Sequence, residues 1–272
     1  MRICLIFFLL PLFTWAQPNC ETFLANQDSC RYKACKYVEE QGRYYQFDWR
    51  KVEIWKKAIE ICPQFAYAYR EIGVPFIKSG NFIEWKKYMD LAVEHNPLEY
   101  LPVRAALRYK FFADYTGTLE DIKLMEKLFT DIGYSSNGTY HMRIVEGLCY
   151  KALGKKEEAI AILEKQINRK GYTVNFYDYL HLGVLYLENK DFQKALKSFE
   201  KQKAEYDCAE SRYYTALTHK ALKNIAAYKE NILQARQLFL KDKKLLDPYN
   251  ELFDQIYLID IDREIELMEA LI

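Results

Sequence analysis

The sequence predicts an all-α fold, an α-solenoid of about six helix-turn-helix repeats with a C-terminal capping helix. The main observation behind this prediction is one internal spacing that recurs from Gly73, Gly147 and Gly183. Three residues after each glycine comes an aromatic residue, twelve after it comes Trp85 or an alanine, and sixteen after it comes a large apolar residue. In chain order these are Phe76, Trp85 and Met89; Tyr150, Ala159 and Leu163; and Tyr186, Ala195 and Phe199. Half of the residues are hydrophobic, and only ten glycines and seven prolines interrupt the pattern. This is the composition of a folded chain.

The first two helix pairs follow from the same spacing. Ala58 and Pro63 lie 34 residues before the equivalent alanine and proline of a pair at residues 66–97. Trp49–Ile61 is therefore predicted to be the second helix of an earlier pair. Ser29–Glu40 can supply its first helix, with an enlarged, tyrosine-bearing loop between the two.

The later pairs match less evenly. Two clear copies begin at the second and third repeat glycines. A degenerate pair is predicted before them, with helices near 101–114 and 119–131 and a turn at Thr116-Gly117-Thr118. A weaker last copy occupies residues 209–240, where Ala216 replaces the glycine.

Residues 66–97 read AYAYREIGVPFIKSGNFIEWKKYMDLAVEHNP and resemble a tetratricopeptide repeat, a helix-turn-helix unit of ~34 residues. The residues at or near the family positions are Tyr69, Ile72, Gly73, Phe76, Gly80, Met89, Ala92 and Pro97. Trp85 departs from the pattern, because the family has a small residue there. The resemblance covers most of the chain after residue 28. It implies a right-handed α-solenoid, and it specifies a fold rather than an activity.

Backbone features of the repeats lead to further expectations. A glycine inside a helix costs about 1 kcal/mol relative to alanine, so each repeat glycine is expected to allow close approach of two helix backbones. Gly80 and Gly154 stand at turns that need a left-handed conformation. In the third copy Lys190 stands there, beside Asn189, which tolerates that conformation. Pro75 falls inside a predicted helix, where a kink is expected.

Residues 1–16 have the pattern of a secretory signal peptide. Met1-Arg2 is a positive start, thirteen mostly apolar residues run from Ile3 to Trp15, and Ala16 is a small residue at the cleavage site. The alternative is a membrane anchor, but thirteen helical residues span only about 20 Å of a bilayer core of roughly 30 Å. We therefore expect cleavage, no stable membrane insertion afterwards, and an exported chain, periplasmic or secreted.

The expected domain organisation follows. After the signal peptide comes an N-terminal segment at residues 17–28, then the repeat solenoid at 29–240 and the cap at 241–272. Cys20 is not expected to be lipidated, because the residues before it are too bulky and polar to resemble a lipoprotein cleavage site.

Six cysteines remain once the predicted leader and its Cys4 are removed, and an even number permits disulfides in an oxidising compartment. The four that crowd into the first 62 residues are candidates: Cys20, Cys30, Cys35 and Cys62. Three full pairings are possible, and the sequence does not select among them. The alternative is that a cysteine such as Cys62 or Cys149 is a small buried hydrophobic residue.

Charge and motifs exclude several classes of function. With 39 basic and 38 acidic residues, the chain lacks the broad positive field that nucleic acid requires. The sequence contains no glycine-rich phosphate loop, metalloprotease helix, nucleophile elbow or calcium loop. Cys-x-x-Cys is absent and the four histidines are dispersed. We therefore predict no catalytic residue, no cofactor, no metal site and no nucleic-acid partner.

The last residues are expected to cover the end of the repeats. Asp247 is predicted to cap a helix that Pro248 begins. Apolar residues such as Ile256 and Ile261 are expected to pack on the last repeat. The alternating acidic residues of this segment are interpreted as a solvated face: Asp260, Asp262, Glu264 and Glu266.

The functional hypothesis is a non-enzymatic scaffold or adaptor that binds a protein or peptide segment in the concave groove formed by the first helices of the repeats. By the family's spacing relative to the glycines, the residues that face this groove are Tyr67, Arg70, Val74, Ile77 and Lys78; His141, Ile144, Leu148 and Lys151; Tyr177, Leu180, Val184 and Leu187; and Tyr213, Leu217 and Lys220. The alternative is a structural or protective subunit, an envelope assembly component or a toxin-immunity protein, that uses its convex side or its cap.

Overall fold

The computed structural model describes residues 19–41, 44–45, 48–135 and 140–269. Within these ranges the regular structure is helical, apart from one isolated β-bridge between Tyr134 and His141. The all-α fold class is confirmed. The predicted signal peptide at residues 1–16 lies outside the described residues.

Contacts between residues divide the chain into two compact units, Met1–Pro97 and Leu98–Ile272. The helices of unit 1 are α1 Cys20–Ala25, α2 Ser29–Glu40, α3 Trp49–Ile61, α4 Ala66–Lys78 and α5 Phe82–His95. The bounds of α2 and α3 are those predicted from the sequence. Trp55, Phe65 and Ile72 are central to the apolar core of this unit.

Two disulfides tie the first three helices of unit 1 together. Cys20 in α1 is bonded to Cys35 in α2, and Cys30 at the start of α2 is bonded to Cys62, the residue that follows α3. Cys149 and Cys208, in unit 2, are buried free thiols.

Unit 2 is built from consecutive helix pairs. Its helices are α6 Pro97–Phe112, α7 Tyr115–Leu128, α8 Met142–Ala152, α9 Lys156–Ile167, α10 Asp178–Glu188, α11 Phe192–Glu205, α12 Ala209–Ala221, α13 Ile225–Leu240 and α14 Leu258–Glu269. The helices of the pairs α8/α9, α10/α11 and α12/α13 pack against each other, and α14 packs on α13 as a capping helix. Ile261 and Met268 of α14 are buried with Ile232 of α13.

Short polar side chains begin many of these helices. Asp48, Asn81, Asp191 and Asn224 each accept a backbone N–H of the first turn, which satisfies a donor that has no partner within the helix. The turns between paired helices use a left-handed residue. Gly80, with φ of 72°, and Gly154, with φ of 75°, do so as predicted. In the third copy Lys190 itself takes φ of 61°, and not the neighbouring asparagine.

The predicted turn at Thr116-Gly117-Thr118 is wrong. These residues lie in the first turn of α7, and the connection is at Ala113, with φ of 50°, and Asp114. Asp114 caps α7 by accepting the Gly117 N–H at 3.0 Å, and Arg108 donates to the Gly117 carbonyl at 2.8 Å. A Cβ on Gly117 would overlap both side chains. The glycine marks close packing by a residue of the previous helix, and not a turn.

The predicted helix start at Asp247-Pro248 is also wrong, because α14 begins at Leu258. Asp247 instead accepts the Tyr249 N–H at 2.9 Å in a local turn, and its other oxygen pairs with Lys110 of α6 at 2.5 Å. The pairing draws the chain towards α6 and away from a helical path.

The repeat glycines differ in how closely their neighbours approach. A Cβ on Gly183 would overlap the ring of Phe199 in α11, and one on Gly147 would overlap Leu163 in α9. At Gly73 the added atom would meet Trp85 Cδ1 at 3.5 Å, which is an ordinary contact. Side chains of the second helix therefore fill the space beside Gly183 and Gly147, whereas the space beside Gly73 is not filled. A partner backbone atom comes near only at Gly147, where the Ala159 carbonyl oxygen would lie 3.4 Å from the added Cβ, so the expected close approach of two helix backbones is not found at Gly183 or Gly73. Helix α4 continues through Pro75 to Lys78.

We expect Gly183→Ala to destabilise the chain by about 1 to 3 kcal/mol, because overpacking against the buried Phe199 ring outweighs the better helix propensity of alanine. Gly73→Ala is the matched control, and it should be neutral or stabilising by up to about 1 kcal/mol. Urea unfolding followed by far-ultraviolet circular dichroism measures both. Equal effects at the two glycines would contradict the close packing at Gly183.

Non-reducing peptide mapping should recover Cys20 with Cys35 and Cys30 with Cys62. Changing Cys30 and Cys62 to alanine opens a loop with a sequence separation of 32 residues, and it should destabilise unit 1 by about 3 to 4 kcal/mol. Tryptophan fluorescence reports this unit, since all four tryptophans precede residue 98. Recovery of any of these four cysteines with a different partner would contradict the pairing.

Candidate functional site

The connection between α13 and α14 does not take the short route between these two packed helices. Its residues 245–257, called here the covering segment, contact α6, α8, α10 and α12. These are the first helices of the four pairs of unit 2. We call the side that the covering segment contacts the first-helix face.

A buried carboxylate anchors the middle of the covering segment. Asp254 pairs with Lys151 of α8, and its Oδ2 lies 2.6 Å from Nδ1 of His181 in α10. All three side chains are less than a tenth exposed. Burial by itself raises the pKa of Asp254, but the positive Lys151 and the hydrogen bond from His181 together hold that pKa below its usual value. The carboxylate is therefore charged, and Nδ1 of His181 donates to it.

The backbone at this anchor is unusual. Asp254 has φ of 64°, a left-handed conformation that only a few residue types, aspartate among them, adopt readily. The Leu252 N–H donates to the side chain of Gln255 at 3.2 Å, and this hydrogen bond closes a turn that contains Asp254. This turn presents Phe253 and Asp254 to the first-helix face.

Apolar packing lies beside the charged anchor. The ring of Phe253 stacks on Tyr109 of α6, with centroids 6.1 Å apart, and contacts Tyr115 of α7 at 5.8 Å. Leu252 lines a small cavity together with Tyr109 and Val145. The aromatic side chain and the carboxylate thus occupy adjacent places on the face.

Both ends of the covering segment meet at one acidic side chain. The Leu245 N–H donates to Oε2 of Glu210 in α12 at 2.9 Å, and the Ile256 N–H faces the same carboxyl. Burial raises the pKa of Glu210 to about 7, although these backbone groups act in the opposite direction. Just before the segment, the Tyr177 hydroxyl lies 3.4 Å from the Lys244 carbonyl.

The acidic residues of α14 do not form one solvated face. Glu264 pairs with Lys220 of α12 at 2.6 Å and accepts the Tyr228 hydroxyl at 2.8 Å. The Glu264 side chain is mostly buried, while Asp262 is exposed and pairs with Arg236. The expectation of a fully solvated acidic face is wrong for Glu264, because this residue docks α14 onto the last pair.

With this geometry established, comparison with known proteins identifies the repeats. A family model for the tetratricopeptide repeat matches residues 140–171 and 179–203, which contain α8 to α11 except for the ends of α10 and α11. Residues 140–171 and 179–203 are therefore tetratricopeptide repeats. A search of curated proteins found no match.

Three solved structures share the tetratricopeptide fold at 14% sequence identity each. PilF of Pseudomonas aeruginosa has a TM-score of 0.52, with 80% of this chain and 94% of that chain covered. PilW, described as a type IV pilus biogenesis factor, has a TM-score of 0.53, with 82% and 92% covered. Naa15/Naa10 bound to HypK-THB has a TM-score of 0.51, and this chain covers only 35% of the matched chain's length. At this identity the likeness shows the fold alone.

The groove positions implied by the tetratricopeptide pattern fall into three groups. In unit 1 they range from half-buried to exposed: Tyr67, Arg70, Val74, Ile77 and Lys78. In unit 2, Ile144, Leu148, Leu180 and Val184 are buried, and Leu187, Tyr213 and Leu217 are half-buried. The remaining four make polar contacts within unit 2. Lys151 binds the covering segment, Tyr177 contacts Lys244, Lys220 binds Glu264, and His141 caps α8 and contacts Asp131.

Sequence reasoning missed the partners that hold the covering segment. Asp254, His181 and Glu210 carry no local motif, since 73 residues separate His181 from Asp254 and 35 separate Glu210 from Leu245. The one signal in the sequence was the length of the connection after Leu240, because irregular segments longer than ~12–15 residues are uncommon in compact domains.

The described residues offer little to a metal ion or a membrane. Cys20, Cys35 and Glu39 lie close together, but the two sulfurs are joined in a disulfide and are not thiolate ligands. Among the helices described here, none is both long and apolar enough to cross a membrane.

The Glu210 carboxyl is predicted to make stability depend on pH. It binds a proton more tightly in the folded chain, with its pKa near 7 rather than 4.5. Its contribution to stability is therefore fully present below about pH 4.5 and is lost as the pH rises through about 7. Glu210→Gln removes this dependence. As the pH rises from 4.5 to 7.5, the free energy of unfolding of the variant should increase relative to that of the wild type by up to about 3 kcal/mol.

Urea unfolding at several pH values measures the difference. The exposed Glu205→Gln in α11 serves as the control for removal of one negative charge. A stability difference between Glu210→Gln and wild type that stays constant across this range would contradict the protonation of Glu210 in the folded chain.

Proposed function

We propose that this tetratricopeptide repeat protein is a non-enzymatic interaction scaffold that binds a segment of a partner protein on the first-helix side of its repeats. The observation that carries the proposal is the covering segment itself. Unit 2 holds an irregular stretch of polypeptide through ion pairs, backbone hydrogen bonds and aromatic packing. A segment of another protein can make each of these interactions.

Two features support a binding role over catalysis. The buried carboxyls Asp254 and Glu210 are engaged by Lys151, by His181 and by backbone N–H groups of the chain itself. Glu210 has a raised pKa, which at an active site would be used for proton transfer, but here the residue holds the covering segment.

We further propose that the protein works outside the cytoplasm, in the periplasm or as a secreted chain. Two disulfides within residues 20–62 support this, because such bonds persist in oxidising compartments. The signal-peptide pattern of residues 1–16 supports it independently.

The filled first-helix face of unit 2 supports a second candidate function. A structural or protective subunit, such as a component of an envelope assembly or a toxin-immunity protein, would contact its partner through the second helices or the cap. Leu240 at the end of α13 and Ile259 in α14 are 60% and 66% exposed and belong to such a surface.

Site-specific photo-cross-linking in the native cell separates the two candidates. A photoreactive amino acid replaces Lys78 in α4 of unit 1 or Leu187 in α10 of unit 2, each in the first helix of a pair of its own unit. The matched controls carry it at Ile83 in α5 or Leu240 in α13, both more than half exposed. We expect the first-helix positions to cross-link one protein that the control positions do not.

A partner that cross-links only from Ile83 or Leu240 would overturn the proposal and support the second candidate. Cross-links of equal yield from all four positions would show a contact without a preferred side, which also contradicts it.

A further inference from the structure

We propose that the covering segment is an internal ligand of unit 2. A partner protein replaces it with a segment that presents an aromatic side chain followed by a carboxylate. This inference rests on the proposed function, binding of a protein segment on the first-helix side. It adds the chemistry that is recognised and the means by which the site is kept closed.

The path of the covering segment is the first argument. Helices α13 and α14 pack directly on each other, yet residues 241–257 connect them, whereas turns of two or three residues join the two helices within each pair of unit 2. Even the longer connections between pairs, at residues 129–141 and 168–177, are shorter than this one. The chain nevertheless crosses to α6 and returns. Leu245 and Ile256, at the two ends of this excursion, face the same Glu210 carboxyl. A loop with adjoining ends can leave the face while α14 keeps its place on α13.

Complementary charge is the second argument. The first-helix face offers positive or hydrogen-bonding groups at Lys110, Lys151 and His181, and the segment offers Asp247 and Asp254 against them. Between its two ends, the covering segment contacts the first-helix face through side chains. Another chain can reproduce the chemistry and spacing of these contacts.

The aromatic anchor is the third argument. Phe253 packs on both Tyr109 and Tyr115, one residue before the carboxylate that reaches Lys151. Through the turn that contains Asp254, both side chains reach helices of unit 2, Phe253 at α6 and α7 and Asp254 at α8 and α10. Recognition by this face therefore requires an aromatic residue and a carboxylate next to each other.

The face keeps its own polar partners when the covering segment leaves. Lys151 also pairs with Glu188 at 3.2 Å, and Nε2 of His181 lies 3.1 Å from the Tyr140 hydroxyl. A vacated face thus retains a partner for Lys151 and for His181, the two groups that bind Asp254. Exchange of one ligand for another does not strand a buried charge.

Attachment to the same chain sets the strength of the competition. A tethered ligand acts at an effective concentration of roughly millimolar, so a free peptide competes poorly with it. The apparent affinity of the wild type is reduced by the fraction of molecules in which the face is open. Weakening the internal anchor should therefore reveal the site.

The test uses the full chain and a fluorescent peptide with the sequence of residues 247–257, DPYNELFDQIY, with both ends blocked. The opened variant carries Phe253→Ala and Asp254→Asn, since asparagine tolerates the same backbone conformation. Fluorescence anisotropy should show saturable binding to the opened variant and binding about tenfold or more weaker to the wild type.

Matched controls define the contacts. Tyr249→Ala changes a residue of the covering segment that is 78% exposed, and it should behave as the wild type. A peptide with the same two changes at phenylalanine and aspartate should not bind the opened variant. Adding Lys151→Ala to that variant should abolish binding of the unchanged peptide, because the carboxylate loses its charged partner.

An opened variant that has full helical content and does not bind the peptide would overturn the inference. If the opened variant does not fold, hydrogen exchange of the wild type with excess peptide decides. Faster exchange across residues 245–256, with α14 unchanged, is expected, and no change overturns the inference. First-helix cross-links in the cell with no such exchange would leave the proposed function standing and remove only the internal ligand.

Discussion

The charged carboxylate of Asp254 is buried inside unit 2, and much of the arrangement around it follows from that burial. A buried charge requires an opposite charge and hydrogen bonds, because the penalty for leaving it uncompensated is several kcal/mol. Lys151 and His181, on two different helices, supply both. The chain between α13 and α14 passes over the first helices to bring Asp254 to these two side chains, and the side chains that line this face are withdrawn from water.

The same requirement explains why the first-helix face is mixed in polarity. Lysine and histidine there compensate carboxylates, while Tyr109 and Tyr115 supply apolar area for Phe253. Glu210 differs from Asp254 because no cation is among the groups that shift its pKa. Burial therefore raises the pKa of Glu210, whereas the pKa of Asp254 is lowered. A neutral carboxyl can still accept backbone N–H groups at the ends of the covering segment. Charged groups of the face thus hold the middle of the covering segment, and hydrogen bonds to Glu210 hold its two ends.

Local patterns were enough to predict many of the helices. The bounds of α2 and α3 follow from a repeat spacing that reports which residues pack between helices, and this spacing is a property of neighbouring sequence. Prediction failed where a distant side chain decided the backbone. Gly117 looks like a turn residue, but Arg108 donates to its carbonyl and leaves no room for a Cβ. Lys190 adopts a left-handed conformation, which lysine rarely takes, in the turn between the packed helices α10 and α11.

The candidate site could be predicted only in part. The tetratricopeptide spacing relative to the repeat glycines predicted Lys151 and Tyr177 to face a groove, and in the structure both contact the chain after α13. It could not identify their occupant, because the pairing of Lys151 with Asp254 spans 103 residues and depends on charge burial that no local pattern encodes. The helix start predicted at Asp247-Pro248 failed for the same reason. The local sequence is typical of a helix start, but Asp247 pairs with Lys110, which lies 137 residues away. In this fold, local sequence specifies the surface that can hold a polypeptide segment, and long-range charge pairing specifies which segment lies on it.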